Sequence, residues 1–259
     1  MEQASSLLKA AGSLPLRSGG ILASDPNSGF VGVTIDDSGG TPGSAIVTLS
    51  GLDIEGAGTG TNGIQFISGA VLHVHKTQIR NFRQSGAGGN GILVTGTSGA
   101  KELYVADSYI TDNGSNGVTG GIVAAPSGTG SLVLSVNRTQ VENNSAGITA
   151  SITGGGTGPL KGLVRDSMVA GNTNNGITAS SGGGNVTVMV QNVGVFANGF
   201  GLVANGTGAG MLVSGSAVTG NTTAVSATAP ALVFCYGDNL MNGNTGGEAC
   251  SAGSPIGKK

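Results

Sequence analysis

Apolar residues recur along the chain in short alternating runs separated by glycine and asparagine. In Leu72-His73-Val74-His75 apolar and polar side chains alternate with the period of a strand, which sends Leu72 and Val74 to one side and His73 and His75 to the other. A shorter run, Thr77-Gln78-Ile79, follows it, and a third, Gly91-Ile92-Leu93-Val94, stands beyond a glycine-rich stretch. The same order of features then returns. An apolar anchor stands at 54, 79, 110, 141, 169, 195, 218 and 241, in steps of 25, 31, 31, 28, 26, 23 and 23 residues. Five residues before the anchors stand Leu49, Val74, Val105, Val136, Val164, Val190, Val213 and Tyr236. Three residues after six of them stands an asparagine: Asn113, Asn144, Asn172, Asn198, Asn221 and Asn244. A further apolar step follows behind glycine at Gly63-Ile64, Gly91-Ile92, Gly117-Val118, Gly147-Ile148, Gly176-Ile177 and Gly201-Leu202. A repeat of this length is the mark of a solenoid.

Each repeat predicts one coil of three strands. Coils stacked about 4.8 Å apart align their inward Val, Ile and Leu into apolar ladders. The asparagines predict a parallel ladder of amides bonded to the neighbouring coil. Glycine before the third strand is expected to supply a positive φ at the corner. The expected fold is all-β: a single-stranded right-handed parallel β-helix of about eight to nine coils, the hand following the general preference of β-crossovers. Residues 1–18 are expected to cap it, with Leu7, Leu8, Ala11 and Leu14 on one face of a short capping helix stopped by Gly12 and Pro15. Residues 19–245 form the helix itself, starting with an incomplete coil over Ile21–Ile35, and 246–259 close the other end. Three residues before the anchors, Lys76, Asp107, Arg138, Asp166 and Asn192 predict a ladder of opposite charges along one edge. The Gly- and Ser-rich inserts Gly56–Asn62, Arg83–Asn90, Ser127–Gly130 and Thr153–Gly158 read as rim turns.

Composition narrows the picture by exclusion. Fifty-one glycines in 259 residues, without a Gly-X-Y period and with seven prolines, exclude collagen. Hydrophobics at 38% with a net charge of −2 argue against disorder. Aromatics at 3% suit a narrow tube filled by branched aliphatics. Eleven Lys and Arg against thirteen Asp and Glu leave no basic stripe for nucleic acid. No apolar run approaches the ~18–20 residues of a membrane span, so membrane insertion is not expected. The first residues, with an early acid at Glu2, do not read as a signal peptide. Cys235 and Cys250 are either a disulfide closing a loop or two inert thiols.

Ala45-Ile46-Val47-Thr48-Leu49-Ser50-Gly51-Leu52-Asp53-Ile54-Glu55-Gly56, the Asn-Gly-Ile corners and Val218-Thr219-Gly220-Asn221 resemble bacterial right-handed β-helix repeat proteins of the pectate-lyase-like superfamily, over about residues 19–245. Members of that superfamily include polysaccharide lyases, glycoside hydrolases, epimerases, adhesins and proteins without assigned activity. The resemblance implies a polysaccharide partner and an exported or cell-surface location, although no export signal stands at the start of this chain.

Candidate chemistry is sparse. Lyase chemistry needs carboxylates to hold calcium and a basic residue beside the abstracted proton. Asp53 and Glu55 on one strand face, with Arg80 beside Glu55 and Asp36 and Asp37 one coil earlier, come nearest; a plain surface ion pair is the alternative. His73 and His75 point outward, with Tyr104 expected to stack over His73. Two imidazoles and a phenol suit Cu²⁺ or Zn²⁺, although no carboxylate column adjoins them in the sequence. Gln78, Arg80, Tyr109, Thr111, Gln140 and Glu142 form a polar strip, of which Gln78, Tyr109 and Gln140 are the candidate glycan contacts. No nucleophilic triad, P-loop or dinucleotide fingerprint occurs, and Gly182-Gly183-Gly184 reads as a turn. The expected function is a non-catalytic β-helix scaffold or surface protein with weak glycan binding and no cofactor. The alternative is a polysaccharide lyase using Asp53, Glu55, Arg80 and calcium.

Overall fold

The computed structural model describes residues 6–8, 14–23, 30–86, 88–251, 255 and 257. They form a parallel β-helix, and no helix occurs among them. One face is a nine-stranded parallel sheet running from Ser6–Leu8 and Val31–Ile35 through Asn90–Val94 and Ala146–Ile152 to Thr223–Thr228. The other two faces join into one fifteen-stranded sheet. They join because Ile46–Glu55 runs unbroken around a corner: its first half pairs with Val71–His75 and its second with Gln78–Arg80. From Val71 onward every turn has three separate strands, and six such turns are complete, ending with Ala209–Ser214, Ala217–Thr219 and Thr223–Thr228. Eight to nine coils were expected; the turn anchored by Ile54 covers its first two faces with one bent strand and its third with Asn62–Phe66, and the last anchor, Met241, lies beyond the final complete turn.

The apolar columns align as the spacing requires. Leu49, Val74, Val105, Val136, Val164, Val190 and Val213 stand in consecutive register and are buried, and Cys235 rather than Tyr236 takes the last rung. Ile54, Ile79, Ile110, Val141, Val169, Val195 and Val218 form a second, fully buried column. Each buried aliphatic side chain contributes about 1.5–3 kcal/mol relative to exposure. A one-residue slip would turn a whole column to solvent, so these ladders also fix the register.

The corners differ from expectation in three ways. Gly63, Gly91, Gly147, Gly176 and Gly201 are not in the left-handed region. They are glycines because the next coil comes too close: a Cβ on Gly147 would lie 2.5 Å from the carbonyl oxygen of Gly176 and 2.9 Å from Asn172 Nδ2. In the coil after Ile110 the apolar step is Gly121-Ile122, with Ile122 paired to Ile92 and Ile148. Val118 is 72% exposed on a longer loop, where the Asn116 side chain accepts the N–H groups of Val118 and Thr119. The left-handed residues lie elsewhere. Lys76, Asp107, Arg138, Asp166 and Asn192, with φ between 46° and 53°, turn the corner before each short strand. Asn81, Asp112, Asn143 and Ala197, with φ between 55° and 60°, turn the corner after it.

The N-terminal capping helix does not form where the chain is described. Ser6–Leu8 is a strand paired with Val33–Ile35, and Leu14–Leu22 is a strand paired with Ile46–Glu55. The open edge of the first coil offers unpaired backbone groups, and pairing with it outweighs the weak helical periodicity. Pro15 lies in the outermost strand, where a missing N–H is tolerated. Ala11 and Gly12, residues 24–29 of the first coil, Ala87 of one insert and residues 252–254, 256, 258 and 259 of the tail lie outside the described residues. At the other end Cys235 and Cys250 form a disulfide with Cα atoms 6.1 Å apart. Ser251 donates its N–H to the Val233 carbonyl and accepts the Val233 N–H through Oγ.

Candidate functional site

The short strands Gln78–Arg80, Tyr109–Thr111 and Gln140–Glu142 lie side by side in register. Their inward anchors, Ile79, Ile110 and Val141, are fully buried, so the residues on either side of each anchor face outward. This puts Gln78, Tyr109 and Gln140 in one column and Arg80, Thr111 and Glu142 in the next. The left-handed corner before these strands leaves a shallow groove of about 490 Å³. Lys76, Gln78, Asp107, Tyr109, Arg138 and Gln140 line it, with Thr77 and Ser108 beneath. All three candidate glycan contacts thus share one groove.

The charges at this corner pair selectively. Arg138 donates from Nε and Nη2 to the two carboxylate oxygens of Asp107, at 2.6 and 2.9 Å. His75 Nε2 lies 2.8 Å from Asp107 Oδ2. The Arg138 hydrogen bonds chiefly, then His75, hold the Asp107 carboxyl down to about 2 against a smaller desolvation effect. Further along, Asn192 donates to Asp166 Oδ1 at 2.7 Å. The ladder of charges is therefore a set of pairs rather than a continuous run, and Lys76 has no ion-pair partner among the described residues.

His73 stacks on Tyr104 with ring centroids 5.1 Å apart and planes at 17°. The Tyr104 hydroxyl donates to Glu102 Oε2 at 2.7 Å, and this bond raises the phenol's pKa. A carboxylate does adjoin the histidines, contrary to expectation, because the left-handed turn at Asp107 brings its side chain back towards His75. The two imidazoles and the phenol are each engaged with a different partner. No cluster of three or more His, Cys, Asp or Glu side chains able to hold a metal occurs among the described residues.

Asp53, Glu55 and Arg80 do converge. Arg80 donates from Nη2 to Asp53 Oδ2 at 2.9 Å and from Nη1 to Glu55 Oε2. The second oxygen of Glu55 accepts the Ala57 N–H at 2.9 Å. Asp36 and Asp37 do not join them. Asp36 accepts the Ser38 N–H. Asp37, 6% exposed, accepts N–H groups from Gly43, Ser44 and Ala45 and the Ser68 hydroxyl. Desolvation would raise its pKa, but those hydrogen bonds outweigh it and lower the carboxyl to about 2. The arrangement is an ion-paired triad with most of its oxygens already spent.

The six asparagines form a continuous hydrogen-bonded column. Asn144 Oδ1 accepts the Asn113 N–H at 2.9 Å and its Nδ2 at 3.0 Å, and the pattern repeats through Asn172, Asn198, Asn221 and Asn244. Glu248 Oε1 terminates the column by accepting the Asn244 N–H. At the other end Asn113 accepts the N–H of Phe82, whose buried ring fills the position an asparagine takes in later coils.

A second ladder was missed from sequence. Hydroxyls of Ser108, Thr139, Ser167 and Ser216 accept N–H groups from the preceding coil. Its signal is a Ser or Thr two residues before five of the eight anchors: Thr77, Ser108, Thr139, Ser167 and Ser216. Lys101 was also missed. It is buried, donates to the Ser98 carbonyl at 3.0 Å, and has its pKa lowered by desolvation, which nearby Asp37 opposes. Compared with protein-family models, curated proteins and solved structures, the chain finds no match; its parallel β-helix is established by its own strand register.

Proposed function

We propose that this protein is a non-catalytic β-helix of the pectate-lyase-like kind, a scaffold or surface protein that binds glycan in the groove at Tyr109. One observation carries this: Gln78, Tyr109 and Gln140, from three successive coils, line a single open groove. An aromatic face with amides on both sides stacks on a sugar ring while hydrogen-bonding its hydroxyls. The groove is shallow, as suits a chain lying across a rigid surface. The Cys235–Cys250 disulfide fits an oxidising compartment outside the cytosol.

A lyase is the second reading, resting on the convergence of Asp53, Glu55 and Arg80. It is disfavoured because Glu55 spends both oxygens on Arg80 and Ala57. Asp37, the carboxylate needed from the preceding coil, is enclosed by its own loop. The test is calorimetric titration with polygalacturonate, alginate and neutral glycans, with and without calcium, followed by ultraviolet absorbance. Binding without new absorbance, weakened at least about tenfold (1.4 kcal/mol) by Tyr109→Ala, is expected. Unsaturated product would establish the lyase, and no heat with any glycan would overturn the binding reading.

A further inference from the structure

A second cleft opens at the other end of the same short strands. It measures about 450 Å³ and follows the left-handed corner after them, where Arg83, Ser115, Asn116, Asn143, Ser145 and Asn174 come together beside Thr173. Its lining is almost wholly neutral. The only cation, Arg83, is tied to Asp112 through Nη2 at 3.2 Å and to the Asp112 carbonyl through Nε at 2.9 Å.

Several polar groups in this cleft are unspent among the described residues. Asn116 is occupied in holding its loop, bonding to Gly86, Val118 and Thr119. Asn174 donates from Nδ2 to Ser145, leaving its Oδ1 without a partner. The Asn143 amide and the Thr173 hydroxyl, both exposed, make no hydrogen bond. One free amide, the oxygen of a second and a hydroxyl match the hydroxyls of an uncharged sugar.

The two clefts overlap in the coils anchored by Ile79, Ile110 and Val141, the second reaching on to the coil of Val169, and three-residue strands, about 10 Å of extended chain, separate them. The surface between them carries Glu142, which makes no ion pair among the described residues. This carboxylate offsets Lys76 of the first groove, likewise unpaired among the described residues, so a charged ligand of either sign gains no net attraction along the path. Resting on the glycan-binding reading, we infer that the second cleft is a further subsite and that the ligand is a neutral oligosaccharide. It crosses the short-strand face obliquely, from Tyr109 to Asn143 in the next coil and Asn174 in the one after.

The experiment is calorimetric titration with xylo- and cello-oligosaccharides from monomer to hexamer, and with oligogalacturonates of matched length. Wild type is compared with Tyr109→Ala and with the double variant Asn143→Gly, Thr173→Val. Glycine keeps the left-handed corner at 143, and thermal melts confirm that each variant folds. Affinity is expected to rise about tenfold with length in the wild type. The double variant should lose that rise while binding the shortest ligands as wild type does, and Tyr109→Ala should weaken every length. Unchanged long-chain binding by the double variant overturns the second subsite and leaves the Tyr109 reading standing. Equal or tighter binding of the oligogalacturonates overturns the neutral ligand. Binding that Tyr109→Ala does not weaken, or no binding at all, overturns the reading beneath it.

Discussion

Replacing Asn144 in the middle of the asparagine column tests whether side-chain stacking holds the coils in register. Asn144 is 1% exposed, so water cannot substitute for what it supplies. Its Oδ1 accepts two hydrogen bonds from Asn113, and its Nδ2 reaches the Ile110 and Glu142 carbonyls and Asn172 Oδ1. Alanine leaves the buried Asn113 N–H without an acceptor, at about 1–3 kcal/mol, and removes further bonds worth about 0.5–1.5 kcal/mol each. A loss of roughly 3–4 kcal/mol follows. Aspartate keeps the acceptor but turns the donor into an oxygen facing three acceptors. Its carboxyl is therefore pushed above the ordinary carboxylate range when folded. A raised acid is neutral in both states at low pH, so the Asn144→Asp deficit is largest near neutrality and shrinks on acidification. Urea unfolding followed by far-ultraviolet circular dichroism measures both variants, and amide exchange at Asn113 locates the damage. An alanine cost below about 1 kcal/mol, well under the penalty for a buried orphan amide, or an aspartate deficit independent of pH, would refute the reasoning.

Two further outcomes follow from the same corners. Gly147→Ala should destabilise by about 1–3 kcal/mol through overpacking, although the residue needs no left-handed φ, because its Cβ would meet the Gly176 carbonyl and Val169 Cγ1; a neutral thermal melt would show that the coils can separate to admit a methyl. Asp37, lowered from 3.8 to about 2 in the folded chain, contributes about 2 kcal/mol above its unfolded pKa. That contribution disappears as pH falls from about 4 through about 2. Asp37→Asn should be less stable at neutral pH and lose less on acidification; an acid melting profile parallel to the wild type would contradict the assignment.

The parts legible in the sequence are those that the solenoid restates on every turn. Val136 alone says little, but Val105, Val136 and Val164 at one offset from three anchors specify an inward column, and they pair in that register. The asparagines were legible for the same reason. What escaped depended on contact between coils or on a single irregular turn. Gly147 reads as a flexible corner until the Gly176 carbonyl beside it is known. Lys76, Asp107 and Arg138 stand out in the sequence as charges, whereas the backbone uses them as left-handed corner residues, a conformation that Asp tolerates but Lys and Arg do not advertise. Of the candidate site, the column of Gln78, Tyr109 and Gln140 followed from spacing. The groove it lines and the cleft at the far end of the same strands did not, since they depend on how far each corner stands out from the tube.

That dependence bears on function. The last two steps between anchors show that 23 residues suffice to close a coil, yet the two steps beginning at Ile79 and Ile110 take 31 each. Part of the excess lies just after the short strands. The third strand begins at Gly120 in the coil anchored by Ile110, but already at Phe200 in the coil anchored by Val195. The loop so created carries Ser115 and Asn116 into the second cleft and holds Val118 in solvent. Tube closure does not require these residues, and they bury almost no apolar surface. Ordering them costs about 1–2 kcal/mol of backbone entropy per residue, which their few hydrogen bonds offset only in part. The fold alone gives no reason for the longer loop, whereas the proposed ligand spanning both clefts would give one.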